Sequence, residues 1–218
     1  MTEPELWKRP VSYGAVGGTQ ADDLLTFPPA GYKAAERRVR LGFGEARWTY
    51  AWTSTLSWAI QRSSGFTVER SDTPPHVSEL TYTPVGFDEY GTPIQPASID
   101  ETAAIVGPDG TPFVRPGDSV DLRSSVGPLK IHAPVRVVYV IDEPNRKGFA
   151  YGTLAGHPVS GEEAWIVDRT PDGSVWLTIR SFSRPSRWYS RLGQPATRLM
   201  QRMYTRRYER ALAGPIAE

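Results

Sequence analysis

The chain contains no cysteine among its 218 residues. That excludes disulfides, thiolate nucleophiles and Cys-ligated zinc or iron–sulfur sites. Histidine is scarce: His76, His132 and His157 lie on widely separated segments, none with a second His at ligand spacing. No metal site is expected from such a set. No apolar run approaches the roughly 18 residues of a membrane span. The segment 1–10 has acids, Trp7 and prolines but not the apolar stretch of a signal peptide, so a cytoplasmic protein is expected. Net charge is also small, +1, and the composition as a whole does not point to nucleic acid. Gly17-Gly18-Thr19 lacks the following Lys-Ser/Thr of a phosphate loop, and residues 156–161 lack the Gly-x-Ser-x-Gly order of a nucleophile elbow. No cofactor is expected.

What is abundant is bulk apolar and aromatic side chain. Hydrophobic residues make up 39% of the chain, with 7 Trp, 10 Tyr and 7 Phe. That suffices for a packed core and for a pocket walled by rings. The length fits a single domain over 1–218. It opens with an irregular Gly- and Pro-rich lead-in over 1–31, anchored by Trp7 and Tyr13. Residues 37–43 alternate as a strand, and 45–61 place Trp48, Trp52, Leu56 and Ile60 at helical spacing, in one amphipathic helix or two short ones. A second strand spans 66–70.

Composition then changes. Between 71 and 116 there are 8 prolines, and from 71 to 110 there are 7 acids and no Lys or Arg. This reads as an acidic surface insertion or as a lid over a pocket. From 117 onward the pattern is β: strands over 118–126, 134–142, 147–154, 162–170 and 174–183, with Pro171-Asp172-Gly173 as a turn. Val135, Val137, Tyr139 and Ile141 are expected on one face. A final helix over about 195–212 presents Leu199 and Met203 within its apolar stripe. Arg198, Arg202 and Arg206 follow one side of it, a solvated face or a docking surface for a partner. Short turns make the late strands antiparallel, and the terminal helix is the natural cover for one face of their sheet.

The stretch Tyr151-Gly152-Thr153-Leu154, Gly156-His157-Pro158, Gly161-Glu162-Glu163 resembles the signature of an uncharacterised family of bacteria and plants, a domain of unknown function. Leu41-Gly42-Phe43-Gly44, Val137-Val138-Tyr139-Val140 and Ser183-Arg184-Pro185 extend the resemblance. It implies an α+β helix-grip fold of the START-like and birch-pollen-allergen type, a curved antiparallel sheet gripping a long C-terminal helix. A hot-dog fold is the alternative, because Val114-Arg115-Pro116-Gly117-Asp118 resembles a strand-opening segment of hot-dog hydratases. The helix-grip fold implies a small apolar ligand, lipid or polyketide-like, walled by Trp48, Trp52, Tyr139, Tyr151, Thr153, Trp176, Leu199 and Met203. His157 with Glu162 or Glu163 would be its polar anchor, or the acid/base of a cyclase- or hydrolase-type enzyme. Against this, His157 before Pro158 is also a natural turn residue. Adjacent Glu162 and Glu163 must point to opposite faces of a strand, so they cannot act as a carboxylate pair. A partner-binding protein using the Arg-rich helix, and a homodimer, stay open.

Overall fold

A computed structural model describes residues 5–71, 86–87, 93–94, 110–126 and 129–186. The expected C-terminal helix, with Leu199 and Met203, and most of the acidic stretch lie outside the described residues. The elements are β1 (Lys33–Phe43), α1 (Glu45–Leu56), α2 (Ala59–Ser63), β2 (Thr67–Arg70), the two-residue strands β3 (Gly86–Phe87) and β4 (Pro93–Ile94), β5 (Ser119–Val126), β6 (Leu129–Glu143), β7 (Arg146–Thr153), β8 (Val159–Arg169) and β9 (Ser174–Pro185).

Seven strands form one antiparallel sheet in the order β1-β9-β8-β7-β6-β5-β2. A meander from β5 to β9 therefore returns to pair with β1, while the helices bridge the two edge strands. The turn at 170–173 closes through Gly173 N–H to Thr170 O, as the Pro-Asp-Gly signal requires. The helical segment is two pieces, broken at Trp58, which is held at φ 63. The hot-dog alternative, with one long helix against its sheet, does not describe this order.

The sheet is covered on both faces. On the inner face, Val135, Val137, Phe149, Tyr151, Trp165, Val167, Val175, Leu177 and Ile179 pack with Trp48, Ala51, Leu56, Trp58 and Ile60 of the helical segment. Trp58, Phe149 and Trp165 are fully buried. Each ring removed from water contributes up to about 3 kcal/mol. The Trp58 ring stacks on Tyr151 at 5.6 Å between centroids and meets Phe149 edge-on at 4.8 Å.

On the outer face lies the lead-in. Tyr13 and Leu24 bury against Phe182, and Val16 packs on a second cluster of Val138, Tyr139, Ala150, Ala164 and Ile166. Charged side chains of the sheet tie it down, Arg136 and Glu162 among them. Arg136 Nη2 donates to the carbonyls of Leu6, Trp7 and Arg9 at 2.8–3.1 Å. Glu162, 3% exposed, accepts from Tyr13 Oη and the Gly17 backbone N–H at 2.7 Å, and from the Thr19 N–H at 2.9 Å and its hydroxyl at 2.5 Å. The left-handed Gly17 (φ 81) turns the chain so that the Gly17 and Thr19 N–H groups converge on one carboxylate, while the Gly18 N–H bonds the Ala15 carbonyl.

One expectation about faces fails. Val137 pairs with Tyr151 but Tyr139 pairs with Ala150, because Val138 is inserted as a bulge. Tyr139 therefore leaves the face of Val135 and Val137 and joins the outer cluster. There its hydroxyl meets that of Thr19 at 2.6 Å.

Candidate functional site

The strand pleat divides the signature stretch into two sets. Gly152 and Glu162 face the lead-in, opposite one another in the β7–β8 register. A Cβ on Gly152 would collide with the Tyr13 ring and hydroxyl. Gly152 thus admits the tyrosine that donates to Glu162. Burial beside that carboxylate pushes the Tyr13 phenol up, which keeps it a proton donor. Thr153 Oγ1 accepts from the Gly161 N–H at 2.9 Å and meets Ser12 Oγ at 2.6 Å. Its hydroxyl is committed to holding the β7–β8 corner.

His157 belongs to the same structural set. Gly156 (φ 99) turns the chain, and the His157 Nδ1 accepts from Val159 N–H at 3.0 Å. Among the described residues, no hydrogen bond joins His157 to Glu162 or Glu163. The acid that acts on its ring is Asp121. Burial lowers its pKa to about 4. The expected His–Glu acid/base arrangement is therefore not assembled, since one glutamate is locked to the lead-in and the other lies on the opposite face. A low pKa leaves the ring neutral in the fold while the unfolded chain binds a proton near pH 6.5. Stability from this group is present above that pH and is lost as pH falls towards 4, by an amount on the order of 3 kcal/mol. NMR titration of the ring C–H signals is expected to show a midpoint near pH 4; an ordinary midpoint near 6.5 would refute the burial argument.

The second set points inward. Tyr151 and Glu163 face each other across β7 and β8. The Tyr151 hydroxyl donates to Glu163 Oε2. Glu163 is half-buried, and burial raises its pKa, partly offset by the bond from Tyr151. No described Lys, Arg or His neutralises it. The inner-face lysine, Lys147, is paired with Asp142 and lies over Trp52 at 5.0 Å. Two further polar groups are buried here in the helical segment: Trp58 Nε1 and the Gln61 side-chain amide have no hydrogen-bond partner among the described residues. Each such group is costly unless something supplies the missing bond.

The expected ligand wall is only partly assembled. Trp48, Trp52 and Tyr151 share the inner face. Tyr139 and Trp176 do not: Tyr139 is displaced by the bulge, and Trp176 lies opposite Asp168 on the outer face under Arg38. Sequence reasoning missed Trp58, Trp165 and Gln61. Trp165 was legible as the partner of Glu163 on alternate positions of β8, whereas Trp58 needed the helix break, which no local pattern marks.

Residues 12–96 and 98–211 match the family described as domain of unknown function DUF1990. The chain belongs to this family. A UPF0548 protein of Deinococcus radiodurans is 47% identical over 77 residues, 35% of this chain and 39% of that protein. A UPF0548 protein of Arabidopsis thaliana is 36% identical over 85 residues, 36% of this chain and 42% of that protein. The chain thus spans less than half the length of these curated relatives. Among solved structures, a hypothetical protein of Helicobacter pylori is similar at 7% identity with a TM-score of 0.49, covering 98% of this chain and 97% of that one. No helix among the described residues is long and apolar enough to cross a membrane.

Proposed function

We propose that this DUF1990 chain, acting as one domain, binds a small and largely apolar molecule between the inner face of its sheet and the helices that cover it. The observation that carries this reading is Glu163: a half-buried carboxyl, bonded by Tyr151, set in a wall of Trp58, Phe149 and Trp165. A carboxyl in such surroundings is costly as a purely structural element. It is well placed as the one polar anchor of an otherwise apolar site. Leu199 and Met203, the further wall residues of the helix-grip reading, lie outside the described residues, and a cytoplasmic location suits a cysteine-free carrier.

Native mass spectrometry of the full chain tests the reading. A small-molecule adduct that is lost on denaturation is expected. Trp58 and Trp165 should also report uptake of an added apolar ligand through a change in tryptophan fluorescence. A protein that carries no adduct and takes up no apolar probe would overturn it.

A further inference from the structure

Resting on that ligand-binding reading, we propose that the inner face selects an organic ammonium group, with Glu163 as its counter-ion and the neighbouring rings as its walls. The protein group bonded to the Glu163 carboxyl, the Tyr151 hydroxyl, is a donor. That bond makes Glu163 an acceptor, but burial outweighs it and raises the carboxyl's pKa, so the ionised form needs a further partner. An ionised carboxylate among apolar side chains requires a cation. The described residues supply none, because Lys147 is engaged with Asp142 and Trp52.

The walls fit the same chemistry. Trp58 stacks on Tyr151 at 5.6 Å, and Phe149 meets Trp58 at 4.8 Å, so π-faces surround the donor that holds the carboxyl. Aromatic faces attract an alkylammonium and an apolar body alike, and repel an anion. A separate observation concerns a polar group on this face that is unsatisfied among the described residues. Trp58 is wholly buried in a left-handed conformation, with its indole N–H unpartnered among them. A bulky residue held this way marks a position that surrounding structure must enforce.

Phenylbutylamine, phenylbutanol and phenylbutyrate share one apolar body and differ in the head group. Binding of each to the full chain is measured by tryptophan fluorescence and calorimetry at about pH 7.5, where the amine is cationic and the butyrate anionic. The amine is expected to bind at least about tenfold tighter than the alcohol, and the butyrate weakest. In Glu163→Gln the amine preference should vanish while alcohol binding persists. Equal affinity for amine and alcohol, or a preference that survives Glu163→Gln, overturns the assignment and leaves the apolar-ligand reading standing. Failure of all three probes overturns both. The amine–alcohol comparison in the unmodified protein decides the matter even if the variant does not fold.

Discussion

Replacing Glu162 with glutamine is expected to destabilise the fold by about 3 kcal/mol, the scale of breaking a charge-assisted network inside a protein. The carboxylate accepts four hydrogen bonds, from Tyr13, Gly17 and both the backbone and side chain of Thr19. Glutamine keeps one acceptor oxygen and turns an NH₂ group towards donors. One pair of donors loses its partner in a buried setting, and the lead-in loses one of its charged ties. For a chain of this length the loss corresponds to a fall in Tm of roughly 6–12 °C. Thermal unfolding followed by circular dichroism measures it. Glu163→Gln is the matched comparison. It removes a carboxyl whose charged form burial already disfavours, so its cost should be about 1 kcal/mol or less. Equal losses at the two positions would refute the division of the motif into a clasp and an inner-face group.

Gly161→Ala should be at least as damaging. Gly161 pairs with Ser183 across β8 and β9, and a Cβ there would overlap the backbone carbonyl of Phe182. Backbone cannot rotate away as a side chain can. Relief requires β8 to lift from β9, which disturbs the Phe182 side chain that Tyr13 and Tyr32 pack against at 5.5 Å. Overpacking of this kind costs about 3 kcal/mol or more. Gly156→Ala, only a few residues away, is expected to be milder at about 1 kcal/mol, since its cost is chiefly the left-handed backbone. The atom nearest to its would-be Cβ is Arg9 Nη1 at 3.3 Å, the end of a flexible side chain. Urea denaturation of the two variants gives the comparison. A Gly161→Ala protein as stable as Gly156→Ala would mean that β8 and β9 do not approach this closely.

Much of the sheet was legible because alternation is a local property. The strands over 37–43, 118–126 and 174–183 were recognisable from their side-chain pattern; the structure extends the first and last to Lys33–Phe43 and Ser174–Pro185 and sets the middle one at Ser119–Val126. The divergence of Glu162 and Glu163 followed from the pleat alone, and they do bond to opposite sides. The position of Tyr139 did not follow. A bulge leaves the sequence alternation intact on paper while shifting every later side chain to the other face. Trp58 was missed for a related reason: a left-handed tryptophan between two helices is disfavoured locally and is held only by packing on Phe149 and Tyr151.

From sequence alone came the strands, their turns, the family and the rule that the two glutamates part company. Each depends on neighbours within a few residues, where backbone geometry dictates the outcome. Tertiary structure alone decided which glutamate does what. The pleat distinguishes two faces without saying what covers either one, and here both are covered. Tyr13 reaches Glu162 from 149 residues away, while Trp58 is brought to Tyr151 by the helices bridging the edge strands. Those long-range contacts make one carboxylate a clasp for the lead-in and leave the other facing the aromatic interior.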